Sequence, residues 1–265
     1  HGILIENDSQ LRLAAMDLSF DPMAMPVSGV AVDFPSGHVI APHTHARAQL
    51  VYAVEGVLVV ETAAGHWVVP SNRGVWLGAG VAHSVRMRGH ARMRSVFVDA
   101  DAAPGLPTRD GIVEVSPLLR ELILAAAEAG QVREVDSRDG RVMRLLLDEL
   151  RVSPILPLHL PWPDDPRIRR VCAETVRQPA DETTAAAWAQ RLAMSPKTFH
   201  RQFLRGTGIT FGRWRQQARL LGSLEALAEG LPVLRVAIEH GYDSQSAFAA
   251  VFKRQFGVSP SAFYR

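Results

Sequence analysis

A chain of 265 residues that is 47% hydrophobic and 21% charged has the composition of a globular protein, and its length favours two domains of ordinary size. A single cysteine, Cys172, excludes an intrachain disulfide and a cysteine-based metal site; no run approaches the ~18 apolar residues of a membrane span and no signal-peptide pattern is seen, so a cytoplasmic protein with no membrane partner is expected. The net charge of +2 is unevenly spread: residues 167–265 carry 15 Lys and Arg against 7 Asp and Glu, and residues 1–166 carry 14 against 20.

From about residue 27 to residue 100 the chain alternates short apolar runs, such as Gln49 to Val54 and Gly56 to Thr62, with Gly, Pro and Asn turns. That pattern predicts an all-β domain. Between about 116 and 152 the period becomes helical, with Leu118, Leu119, Leu122, Ile123 and Ala126 on one predicted helix face and Val142, Leu145, Leu146, Glu149 and Leu150 on the next. The stretch Ser153 to Pro163 holds Pro154, Pro157, Pro161 and Pro163, which forbids a continuous helix and predicts an extended connector. The expected division is an all-β domain over 1–110, a helical segment over 111–152, a Pro-rich linker over 153–164 and an all-α domain over 165–265.

The all-α part contains an internal repeat. Ser195 and Ser244, Phe199 and Phe248, Phe203 and Phe252, and Gly208 and Gly257 correspond at a fixed offset of 49 residues. Each serine predicts a helix N-cap, with Pro196 in the first helical position of the first copy. The paired phenylalanines, four apart, seat one face in a core and leave the other face outward. In the first copy that outward face carries Lys197, His200, Arg201 and Arg205, donors suited to phosphates and guanine edges, with Arg201 the expected base reader. In the second it carries Gln245, Ser246, Ala249, Ala250 and Lys253, where Gln245 suits adenine and the alanines a thymine methyl.

A short helix is predicted before each serine, over 185–192 and 233–240, followed by the turns Ala193-Met194 and Gly241-Tyr242-Asp243. Helix, short turn and polar second helix is the helix-turn-helix arrangement. Between the copies, Phe211, Trp214, Ala218, Leu221 and Leu224 mark one face of a connecting helix over 210–229. Its ~30 Å length is close to the ~34 Å between successive major-groove faces, so one chain can address two adjacent grooves.

Residues 167–265 resemble the DNA-binding domain of the AraC/XylS family of bacterial transcription regulators, and the run from Ala237 to Pro260 matches its signature nearly throughout. The resemblance implies seven helices, two helix-turn-helix units joined by a long helix, and base contacts by Lys197, His200, Arg201, Gln245, Ser246, Ala249 and Ala250 on double-stranded promoter DNA.

In the N-terminal part, His43 and His45 share one parity with Gln49, which on a strand places all three on one face, and His83 follows Gly80 further along. Three imidazoles and an oxygen can hold Zn²⁺, Ni²⁺ or Fe²⁺. The spacing from Gly37 through His43, His45 and Gln49 to Gly56 resembles the first cupin motif, with glutamine where that family usually has glutamate. His83 stands at the histidine of a degraded second motif in which Asn72, Gly78 and Met87 replace the usual residues. The resemblance implies a cupin-type sensor domain followed by dimerising helices. The histidines are read either as metal ligands or as inner-wall residues around an organic effector.

The fold class expected is α+β and multidomain: a cupin-like antiparallel β-barrel, two amphipathic helices, then an all-α domain with two helix-turn-helix units. The function expected is a homodimeric, DNA-binding transcription regulator controlled by a small effector or metal. An enzyme, a cupin dioxygenase or isomerase with a DNA-binding tail, is the alternative; it requires an open coordination position and a general base, and no base is identifiable from sequence.

Overall fold

A computed structural model of the chain describes residues 24–99, 101, 104–153, 155–156 and 159–263, with the side chains of 155 and 156 left aside. The first 23 residues of the expected sensor domain, and Pro154, Pro157 and Leu158 of the expected linker, lie outside these. The chain divides into two compact units, one of residues 1–62 and 69–159, the other of residues 63–68 and 160–265.

The first unit is built on antiparallel strands. In chain order the strands are β1 (Val27–Phe34), β2 (Val39–His43), β3 (Ala48–Ala53), β4 (Val57–Thr62), β5 (Gly65–Val69), β6 (Arg73–Leu77), β7 (His83–Arg88), β8 (Ala91–Val98), β9 (Gly111–Glu114) and β10 (Ile155–Leu156), of which β5 falls, up to residue 68, in the second unit. One sheet runs in the order β1-β8-β3-β6-β9-β10, and β4-β7-β2 form part of a second. Strands β3 and β6 are buried along their whole length, so both of their faces are covered.

One cover is helical. Helix α1 (Pro117–Ala129) starts at Ser116, whose hydroxyl accepts from the Leu119 amide, and α2 (Arg138–Val152) starts at Ser137, which accepts from the Gly140 amide. Leu119, Leu122, Ile123 and Ala126 of α1 join Met143, Leu146, Leu147 and Leu150 of α2 in one core with Val27, Leu50, Tyr52, Trp76, Val96 and Val98 of the sheet. The approach of α1 to β1 requires Gly29, where a Cβ would lie 2.2 Å from the Ala126 carbonyl oxygen.

Two expectations are corrected here. Residues 111–114, assigned from sequence to the helical segment, form β9 and pair with β6. Leu118 and Leu145, expected on the buried faces, are 48% and 43% exposed, because their neighbours Leu119 and Leu146 take the positions facing the sheet.

In the second unit, β11 (His159–Pro161) pairs with β5, and helices follow: α3 (Pro166–Arg177), α4 (Ala185–Arg191), α5 (Pro196–Thr207), α6 (Phe211–Ala228), α7 (Val233–Glu239) and α8 (Gln245–Phe256), closed by a short 3₁₀ turn at Pro260–Ala262. Two aromatic nests form its cores. Phe199 and Phe203 of α5 meet Phe211 and Trp214 of α6, and Phe248, Phe252 and Phe256 of α8 meet Phe263. Fully burying one such side chain contributes about 1.5–3 kcal/mol relative to leaving it exposed. The Trp214 indole also donates to the Pro161 carbonyl at 3.1 Å, which ties α6 to the chain entering the unit. Among the described residues no helix is long and apolar enough to cross a membrane.

Candidate nucleic-acid interface and histidine cluster

The first helix-turn-helix begins at Thr184, whose side chain accepts from the Ala187 amide, and buries Trp188 and Ala189 of α4. After Leu192 the chain turns through Ala193, at φ 51° among the described residues the one non-glycine in the left-handed region. Ser195 then caps α5 by accepting from the Thr198 amide at 3.2 Å, Pro196 takes the first turn, and Gly208 ends the helix at φ 74°. In the second copy α7 buries Val236 and Ala237, the turn passes through Gly241 at φ 74°, and Ser244 caps α8 by accepting from the Ala247 amide at 3.1 Å. Each serine cap contributes about 1 kcal/mol to its helix.

The two copies differ in their turns. The second helices repeat at an offset of 49 residues, whereas Ala193 and Gly241 are 48 apart, so the second turn holds one extra residue before its cap. Because the left-handed residue follows α4 and α7 at the same place, the insertion falls between that residue and the serine.

On the second helices the phenylalanines are fully buried and the opposite faces are open. Lys197, His200, Arg201, Arg205, Gln245, Ser246, Ala250 and Lys253 are exposed, and Ala249 is half-buried. Among the described residues the side chains of Lys197, Arg201, Arg205, Gln245, Ser246 and Lys253 have no hydrogen bond or ion pair, whereas Arg170 and Arg235 elsewhere in the unit are paired with Glu174 and Glu239 on their own helices. Unengaged donors on a convex helix face carry their full hydrogen-bonding capacity to a ligand.

Histidines gather in the first unit. His43 ends β2 and lies directly opposite His83 at the start of β7. The rings of His43 and His83 are 4.4 Å apart between centroids, those of His43 and His45 4.8 Å, and those of His45 and His83 5.5 Å. One ring nitrogen from each of the three lies within 4.8 Å of the others. Nδ1 of His43 lies 2.7 Å from the Ala41 carbonyl and Nδ1 of His83 2.9 Å from the Val81 carbonyl, so each Nδ1–H donates to backbone and leaves Nε2 bare. Burial pushes the His83 pKa down to about 4, and that ring is neutral at physiological pH. Three imidazoles, two of them oriented by carbonyls, fit Zn²⁺, Ni²⁺ or Fe²⁺.

The parity argument for Gln49 is corrected. β2 ends at His43 and β3 begins at Ala48, so His43, His45 and Gln49 do not share a strand. His45 lies in the intervening loop, where its carbonyl accepts from the Gly80 amide at 2.8 Å. Gln49 is buried on β3, its amide donating to the Ser95 hydroxyl at 3.1 Å and its Oε1 buried without a partner. The orienting carbonyls of Ala41 and Val81 leave no trace in the sequence, since every residue carries one.

Comparison with known proteins identifies the domains of the chain. Residues 27–193 match the AraC-like ligand binding domain, and residues 188–265 match a helix-turn-helix domain. The chain belongs to the AraC family of helix-turn-helix transcription regulators. This AraC-family chain is 33% identical over 221 residues to the HTH-type transcriptional regulator NimR of Escherichia coli K12, covering 83% of itself and 81% of NimR. It is 30% identical over 144 residues to the arabinose operon regulatory protein of the same organism, covering 51% of itself and 49% of that protein. ToxT from Vibrio cholerae O395, a solved structure, aligns over 91% of the chain and 98% of its own length with a TM-score of 0.38 and 10% identity.

Proposed function

We propose that this AraC-family regulator reads double-stranded promoter DNA with both helix-turn-helix copies, acts as a cytoplasmic homodimer, and is controlled by a ligand held in a cupin-type N-terminal unit. The observation that carries the reading is the pair of capped helices, α5 and α8, each with its phenylalanines buried and its exposed donors unengaged. In α5, Arg201 reads a base edge, a bidentate guanine contact being the most common for arginine, with Lys197, His200 and Arg205 on neighbouring bases and phosphates. In α8, Gln245 and Ser246 supply hydrogen bonds, Ala249 and Ala250 apolar contact, and Lys253 a phosphate contact. The excess of basic residues over 167–265 supplies the sequence-independent share of affinity through counterion release.

Self-association is supported by an apolar stripe on α2. Leu145 is 43% and Val152 76% exposed, seven residues apart on one helix face with half-buried Val142 and Glu149. The His43, His45 and His83 cluster, with Gln49 as a further oxygen donor, is read as a site for Zn²⁺, Ni²⁺ or Fe²⁺ that serves as a sensed or bracing ion rather than a catalyst, because NimR, which matches over most of both chains, is a transcriptional regulator. A ligand in this unit alters DNA affinity by a coupling free energy that is necessarily reciprocal, so DNA alters affinity for the ligand by the same factor.

Selection of duplexes from a random library by the full chain tests the reading. It predicts enrichment of a motif with two boxes about one helical turn apart. Recovery of no common motif contradicts it.

A further inference from the structure

Arg219 stands on the connecting helix α6. Its Nε donates to the Pro179 carbonyl at 2.6 Å and its Nη2 to the Asp181 carbonyl at 3.3 Å, both in the loop that leads into α4. Its Nη1 donates to the Gly241 carbonyl at 3.0 Å, in the turn between α7 and α8. One planar guanidinium thus grips the backbone on the approach to the first helix-turn-helix and in the turn of the second, from the helix that joins them.

The surroundings are shaped for this. Gly241 has φ 74°, and a Cβ there would sit 2.6 Å from Cζ of Arg219, so glycine serves both the turn and the close approach of the guanidinium. One turn earlier on α6, Arg215 donates to the Thr183 carbonyl at 3.1 Å, and within the gripped loop Asp181 accepts from both the amide and the hydroxyl of Thr183. The guanidinium is partly desolvated, with Arg215 adding like charge, and both effects lower its pKa from the ordinary value. A fork of fixed N–H vectors suits carbonyls lying in different directions; a lysine ammonium, a point charge on a flexible stem, holds them less rigidly.

The geometry points to Arg219 as the positioning residue that sets the spacing between the two DNA-reading helices, without itself contacting DNA. The assignment rests on the two-unit reading above. It predicts that losing the fork uncouples the units: each still recognises its own box, but the tolerance for the distance between boxes widens.

The test uses the full chain with Arg219→Met and Arg219→Lys, the latter being the gentler change should the former fail to fold, and Gly241→Ala as a second route to the same disturbance. The probes are the duplex selected by the wild type, the same duplex with one base pair inserted between the boxes, and a duplex keeping only the box lost from the footprint of Arg201→Ala. For the wild type the insertion is expected to weaken binding about tenfold, on the order of one mismatched contact. For the variants the native duplex is expected to bind about tenfold more weakly, the insertion to cost under about threefold, and single-box affinity to hold within about twofold. A variant that keeps the wild-type insertion penalty, or that weakens equally on the single-box probe, overturns the assignment while leaving two-unit recognition standing. A wild-type footprint with only one protected patch overturns both.

Discussion

Ala193 and Gly241 occupy the same place in the two helix-turn-helix copies, each the left-handed residue that follows the first helix, at φ 51° and 74°. Their amides donate to Gln190 and Ile238 carbonyls, both at 3.0 Å, so the two turns close with the same hydrogen bond although only one has the residue that adopts this backbone freely.

Ala193 therefore carries local strain. The left-handed conformation costs an L-residue about 1–2 kcal/mol, and glycine in its place loses about 0.5–1 kcal/mol of unfolded-chain entropy. Ala193→Gly is expected to raise stability by about 0.5–1 kcal/mol, seen as a higher urea midpoint at unchanged slope. A lower midpoint would show that the Ala193 methyl contributes packing that outweighs the backbone.

Arg201→Ala is expected to cost about 1–3 kcal/mol at one base position and to relax specificity there, measured by competition among single-base variants of the selected duplex. A loss equal on every sequence, with a smaller salt slope, would place Arg201 on a phosphate instead.

His240 gives the second copy a pH dependence. Burial holds its pKa below the ordinary 6.5, and the carbonyls of Val236 and Gly222 and the carboxylates of Glu239 and Glu225 offset only part of that effect. The ring is thus neutral in the fold, while the unfolded chain takes up a proton as pH falls through 6.5, so stability is full above that value and declines below it. Between about pH 7.5 and 5.5 the wild type should lose more stability than His240→Gln, read from urea midpoints. Equal losses would remove His240 as a source of acid sensitivity.

The helix-turn-helix copies were legible because their signals are local. Ser195 and Ser244 cap through amides three residues away, and the Phe199/Phe203 and Phe248/Phe252 pairs lie on one face by helical period alone. The histidine cluster was legible in its members but not in its construction. His43 meets His83 through a ladder joining residues forty apart, and the break between β2 and β3, which removes Gln49 from their strand, falls in a run that reads as continuous alternation. Arg219 escaped sequence reading because its partners are three backbone carbonyls, and the left-handed Ala193 escaped because alanine signals helix.

Elemental analysis of the chain purified without added metal should find near-stoichiometric zinc, nickel or iron, lost when His43 and His45 are both replaced by alanine. The Val81 carbonyl that accepts from Nδ1–H of His83 cannot be deleted by a side-chain mutation, but fixing the imidazole orientation is worth on the order of 10–100-fold in affinity, so binding should survive dialysis. Folded, metal-free wild type would leave the histidines as wall residues around an organic ligand.

The most direct test of the central claim is the ratio of affinities of the full chain for its selected duplex and for a scrambled duplex of the same composition, at about physiological salt. Specific recognition by two base-reading helices predicts a ratio on the order of 10³ or more, with the preference reduced in Arg201→Ala. Equal affinity for both duplexes, falling together as salt is raised, would reduce the exposed donors of α5 and α8 to a non-specific basic surface and contradict the account.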